Sequence, residues 1–203
     1  MRRAGRWKGG IIGAALGMVA SGVGSAAAGE DPIRAGTWEL TVAGGYSVSH
    51  NVTLAEDLVM ITAYHALPHV GYVLTEQHGS GWLRGNLELL LEPTGLQIQG
   101  KRHTATVGGL AGLGRWVRAT PSAFRPYFDL GGGVIVGETR LRQTTCDVNF
   151  ILEGGPGLLI FLSDRTALTV GYRYHHVSNG SKCTPNLGLN SSLFILGLTH
   201  FFR

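Results

Sequence analysis

Residues 166–178 read Thr166-Ala-Leu-Thr-Val-Gly-Tyr-Arg-Tyr-His-His-Val-Ser178. The even positions carry Leu168, Val170, Tyr172, Tyr174, His176 and Ser178, and the odd ones Ala167, Thr169, Gly171, Arg173, His175 and Val177. Side chains of a β-strand point alternately to opposite faces, so one face here is aliphatic to aromatic and the other small or polar. Other segments repeat the alternation. Leu83, Leu87, Leu89 and Leu91 oppose Arg84, Asn86, Glu88 and Glu92; Phe128, Leu130, Val134 and Val136 oppose Asp129 and several glycines. Phe150, Leu152, Leu158 and Ile160 oppose Asn149 and Glu153, and Trp38, Leu40, Val42 and Tyr46 oppose Glu39 and Thr41. Clusters of Gly, Pro, Asn and Ser separate these stretches. In lipid every backbone donor needs a partner, so a sheet that crosses a membrane must close on itself and shows this pattern.

The predicted fold is all-β: an antiparallel transmembrane β-barrel of about eight strands. The strands are placed at 37–47, 57–66, 82–92, 104–117, 126–138, 149–162, 166–178 and 191–202, the alternation being poorest between Val52 and Leu74. The mature chain holds no run of the roughly eighteen apolar residues that a membrane helix needs. If the polar faces share a lumen, Arg84 and Arg173 can neutralise Glu39, Glu88, Asp129 and Glu153, in an interior with room for side chains but no pore. The competing reading is a half-exposed soluble sheet with its charges in water. An export signal and aromatic strand ends at Trp38, Tyr46, Tyr172, Tyr174, Phe201 and Phe202 favour the barrel. Gly131-Gly132-Gly133 and Gly154-Gly155-Pro156-Gly157 suit its curvature and bulges.

The N-terminus supplies that signal. Arg2, Arg3, Arg6 and Lys8 precede an apolar, small-residue run from Ile11 to Ala28 that closes on Ala26-Ala27-Ala28. This order reads as a secretory signal peptide over 1–28, leaving 29–203 as one barrel domain. The whole chain has 17 Lys and Arg against 13 Asp and Glu. Removing four cations with the signal leaves 13 against 13, so the basic balance points to no nucleic-acid partner. With both termini periplasmic and an even strand count, the 139–148 and 179–190 loops open on the outer side. Cys146 and Cys183 then meet at one rim of an exported protein, and a disulfide between them is expected. No Cys/His spacing suggests a metal.

His176 and Ser178, two residues apart on a strand, project from the same face as Leu168, Val170 and Tyr172, which in a barrel meets lipid. His176 can serve there as general base for the Ser178 hydroxyl. Near the outer rim, a lipid ester could reach the serine sideways from the membrane. His175 falls on the lumen face, and His200 at the periplasmic interface.

His176-Val177-Ser178-Asn179 followed by Pro185-Asn186-Leu187-Gly188 resembles the His-x-Ser-Asn and Pro-Asn-x-Gly signature of the lipid A 3-O-deacylase (PagL) family. A looser likeness runs through Arg125-Pro126-Tyr127 and the glycine-rich strand after it. The resemblance implies an outer-membrane hydrolase, without cofactor or metal, that removes the ester-linked acyl chain at the 3-position of lipid A, its partner being lipopolysaccharide of the outer leaflet. It implies Ser178 as nucleophile, His176 as base and Asn179 as a donor to the oxyanion, with Gly180 close by. One departure stands out: the family's histidine-orienting glutamate, twelve positions after the serine, is here Asn190, and no acid follows Asp164. Asn190 could orient His176 as an amide, as in Cys-His-Asn enzymes; Asp147 could approach if Cys146 and Cys183 are joined; or the barrel is a weak or inactive relative. The rival from another class is a non-enzymatic structural or adhesin-like barrel. A calcium-dependent phospholipase is disfavoured because no carboxylates cluster near Ser178. The sequence does not choose between a monomer and a homodimer.

Overall fold

The structure is a computed structural model that describes residues 31–50, 60–99, 104–139 and 146–203. The expected signal peptide lies outside these residues. The strands are β1 (Trp38–Ser49), β2 (Thr62–Ala66), β3 (His69–Val73), β4 (Gly85–Gln99), β5 (Thr104–Arg118), β6 (Phe124–Val136), β7 (Val148–Phe161), β8 (Thr166–Ser178) and β9 (Leu189–Phe202). Each pairs antiparallel with its neighbours, and β9 returns to β1 from Trp38↔Phe202 to Ser49↔Ser191, closing the sheet. β2 and β3 both lie between β1 and β4. Ala66↔Gly95 and Val70↔Leu91 are in one register, which sets Pro68 opposite Pro93. Neither proline has an N–H to give, so the ladder breaks there. β2 and β3 are thus one interrupted stave, and the barrel has eight.

Two strands differ from the sequence reading by more than two residues at an end. The second stave, expected at 57–66, runs on to Val73, and residues 57–59 lie outside the described set. It alternates strictly, with Ala63, His65, Leu67, His69 and Val73 inward and Tyr64, Ala66, Pro68 and Val70 outward. Apolar residues stand on both faces, so hydropathy conceals the period. The third strand was expected to begin at Trp82, but Gly81–Leu83 form a short 3-10 turn and β4 starts at Gly85. Trp82 is exposed at that rim, with the Arg118 guanidinium 3.8 Å from its ring centre.

Outward and inward faces invert the arrangement of a soluble protein. Val42 is 70%, Leu130 61%, Leu152 59% and Leu196 61% exposed, whereas Glu39, Glu88, Glu92 and Arg115 are fully buried. An apolar surface of this extent needs hydrocarbon around it. The lumen is filled in layers. At the end bearing Asp31 and Arg203, Ile33 packs with Val73, Val117, Tyr127, Leu159, Ala167 and Phe201. The opposite half is aliphatic, including Ile61, Ile98, Val107, Ile135, Ile151 and Val177. Between them lies a charged waist. Arg115 donates to Asp129 at 2.7 Å and Glu39 at 3.2 Å, and Arg173 to Asp129 and Glu92, both at 2.9 Å. Arg173 also stands 3.4 Å from Glu153, Arg115 4.0 Å from Glu88, and His69 3.2 Å from Glu92. Arg84, expected in this network, is exposed at the rim, and Arg115 takes its place. The reason is geometric: Arg84 precedes β4, whereas Arg115 lies at mid-strand on the inward face. The void between Ser47, His65, His175 and Val177 is about 20 Å³, room for roughly one water. Among the described residues, the packed lumen offers no route for a lipid.

Candidate active site on the outward wall

β8 carries His176 and Ser178 to the rim away from Asp31 and Arg203. Both are half-buried and share the outward face with Val170 and Tyr174, while His175 and Val177 point into the lumen. Register supplies their flanks. On β7, Leu152 faces His176 and Phe150 faces Ser178; on β9, Asn190 faces His176. The ring Nδ1–H of His176 donates to Asn190 Oδ1 at 2.6 Å. An amide oxygen as acceptor fixes the proton on Nδ1 and leaves the Nε2 lone pair open. Among the described residues no hydrogen bond joins Ser178 to the ring, and such contacts are often loose before substrate binds. Asp147 is exposed, and among the described residues His176 bonds to Asn190 and not to Asp147.

The loop between β8 and β9 is braced from three directions. A disulfide joins Cys183 to Cys146, with Cα atoms 5.7 Å apart, tying this loop to the one before β7. Asn179, fully buried, donates its amide hydrogens to the carbonyls of Cys183 (3.1 Å) and Pro185 (3.2 Å). Its backbone N–H donates to Asn186 Oδ1 at 2.9 Å. The donors of Asn179, expected to serve an oxyanion, are therefore spent inside the loop. Strand parity explains this, since the residue after an outward-facing Ser178 points inward. Gly180, at φ +61°, is exposed beside Phe150, and its N–H makes no hydrogen bond among the described residues. Lys182 caps this corner, its ammonium 4.7 Å from the Phe150 ring centre.

Gly188 has a role that the sequence reading did not give it. It adopts φ +69°, and a Cβ there would lie 2.9 Å from His176 Cε1. Its lack of a side chain lets the loop press against the imidazole edge. The Pro-Asn-x-Gly spacing was the available signal; only the fold shows what its glycine touches.

The family model for lipid A 3-O-deacylase (PagL) matches residues 45–199. The chain belongs to this family. Among solved structures this deacylase-family barrel is similar to the outer membrane enzyme PagL, at 17% identity and TM-score 0.54, covering 78% of this chain and 97% of that one. It is less similar to the outer membrane protein OprG of Pseudomonas aeruginosa, at 14% identity and TM-score 0.46, covering 84% and 97%. No match was found among curated protein sequences. The fold is an outer-membrane β-barrel, and its apolar wall is the membrane-facing one. The match spans both halves of the motif, His176 to Asn179 and Pro185 to Gly188.

Proposed function

We propose that this deacylase-family barrel hydrolyses the ester-linked acyl chain at the 3-position of lipid A, in the outer leaflet, with Ser178 as nucleophile and His176 as general base. The observation that carries the reading is the 2.6 Å hydrogen bond from His176 to Asn190, formed beside Ser178 on the membrane-facing wall. That bond supports an imidazole whose free Nε2 can take the Ser178 proton as Oγ attacks the ester carbonyl. The oxyanion formed needs a donor that water would otherwise supply. Gly180 N–H, two residues on and unspent, is the backbone group for that role. Collapse breaks the bond to the sugar oxygen, which takes the proton from Nε2. Water then enters, His176 removes its proton, and the acyl-serine releases a fatty acid with Ser178 reprotonated. Asn190 holds the ring but brings no negative charge to the imidazolium, so the rate should lie below that of a carboxylate-containing site.

Mass spectrometry of lipid A from cells expressing wild type, Ser178→Ala and His176→Ala tests this. Loss of the 3-linked chain with the wild type alone is the expected result. Unmodified lipid A in all three strains, with folded barrel in the membrane, would leave the structural or adhesin-like role.

A further inference from the structure

Three polar side chains stand on the membrane-facing wall beside the His176–Asn190 pair and have no part in the scheme above. Ser192 is the next outward residue after Asn190 on β9. Its hydroxyl lies 2.7 Å from His50 Nε2 and 3.2 Å from the Tyr172 hydroxyl. His50 is tied to the pair through the backbone, its N–H donating to the Asn190 carbonyl at 2.7 Å, and its ring centre is 5.8 Å from that of Tyr174. Tyr174 is in turn the register partner of Ser192. The surrounding wall is apolar, with Phe194 and Leu196 largely exposed. Polar groups facing hydrocarbon are costly unless something polar meets them.

The network runs in one of two directions. Either the Tyr172 O–H donates to Ser192 Oγ and the Ser192 O–H to His50 Nε2, leaving His50 Nδ1–H unspent, or His50 Nε2–H donates to Ser192 Oγ and the Ser192 O–H to the Tyr172 oxygen, leaving the Tyr172 O–H unspent. Both leave one donor for an oxygen of a ligand. Donors in such a chain polarise one another. Among the described residues the opposite flank has no counterpart: across His176 from Asn190 stand Leu152 and then Gly132. The site therefore has a hydrocarbon side along β7 and a polar side along β9 and at the end of β1.

We propose that His50, Ser192 and Tyr172 form a subsite that recognises an oxygen atom of the substrate close to the scissile ester. This deepens the esterase reading and rests on it. Two residues of strand span about 7 Å. That distance suits an oxygen on the first few carbons of the acyl chain, or one on the sugar that bears the ester. A hydroxyl or phosphate oxygen serves equally as acceptor, and the two sources differ in which substrates are preferred.

The test uses the full-length barrel in detergent micelles. One substrate pair is decanoyl against 3-hydroxydecanoyl p-nitrophenyl ester; the other is a 3-O-decanoyl ester of glucosamine against the same ester of phosphorylated glucosamine. Wild type should prefer the oxygenated member of at least one pair in kcat/KM. Ser192→Ala and His50→Ala should collapse that preference by about tenfold, with Tyr172→Phe giving the same direction at unchanged volume. The pair on which preference is lost identifies chain or sugar as the source. His200→Ala is the control, because Thr166 and His200 form a like pair (3.0 Å) at the far rim, away from the site. No preference in either pair, or one that all three variants keep, overturns the subsite. Absence of hydrolysis by the wild type is failure of the esterase reading instead. The subsite is then decided by titrating the Ser178→Ala barrel with 3-hydroxydecanoyl and decanoyl amides, where equal binding before and after His50→Ala refutes it.

Discussion

Replacing Asn190 by Asp keeps side-chain length and shape while turning a neutral acceptor into a charged one at 2.6 Å from His176 Nδ1. A hydrogen bond between neutral groups contributes about 1 kcal/mol net, and one to a charged group about 2–3 kcal/mol. When the ring becomes an imidazolium in the transition state, the Coulomb attraction at about 4 Å reaches ~4 kcal/mol at an effective dielectric of about 20. The pair is half-exposed, and solvent removes most of that. A net gain of about 1.4 kcal/mol is left, close to tenfold in kcat. Asn190→Leu removes the acceptor and with it the preference for the Nδ1–H tautomer, and a fall of about tenfold is expected. The assay is ester hydrolysis in micelles, with Ser178→Ala as the blank and gel mobility before heating as the check on folding. A well-folded Asn190→Asp no faster than wild type, together with an Asn190→Leu at wild-type rate, would refute Asn190 as the residue that orients His176.

Gly188→Ala should lower activity several-fold or more in an otherwise folded barrel, because the new Cβ meets the His176 ring and a non-glycine residue at φ +69° costs about 1–2 kcal/mol; activity and gel mobility measured together distinguish this from unfolding. Arg115→Met should destabilise the barrel by roughly 3–5 kcal/mol, since Asp129 and Glu39 are left buried without that partner, whereas exposed Arg84→Ala should have no measurable effect; urea unfolding in micelles reads both. Removing the disulfide with Cys146→Ser and Cys183→Ser should lower stability by roughly 2–4 kcal/mol in the same measurement, as expected for a link closing 37 residues. It should also loosen the loop that carries Gly188, so activity should fall well below the temperature at which the barrel unfolds.

What could be read from the sequence is what a strand decides locally. Side chains alternate at period two whatever surrounds them. Hence Trp38, Leu40, Phe128, Leu130, Leu152 and Val170 fall on the membrane side, Glu39, Asp129, Glu153 and Arg173 inside, and His176 with Ser178 together on one wall. The same rule, applied one residue further, turns Asn179 inward and makes it a clamp of the loop. Alternation also placed Cys146 and Cys183 at one rim, because even-numbered staves return every second loop to the same end.

Closure decided the rest. Which residues meet across the lumen depends on the register of all eight staves at once, so Arg115 rather than Arg84 stands at the centre of the charges. The second stave was obscured because apolar residues fill both of its faces and prolines 68 and 93 meet across its ladder. Asn190 reaches His176, and His50 reaches Ser192, only because β9 pairs with β8 on one side and β1 on the other, and the His50–Ser192 contact spans 142 positions of chain. A sequence fixes the face on which each side chain stands, but neighbours on that face belong to different strands, and only the closed sheet brings them together.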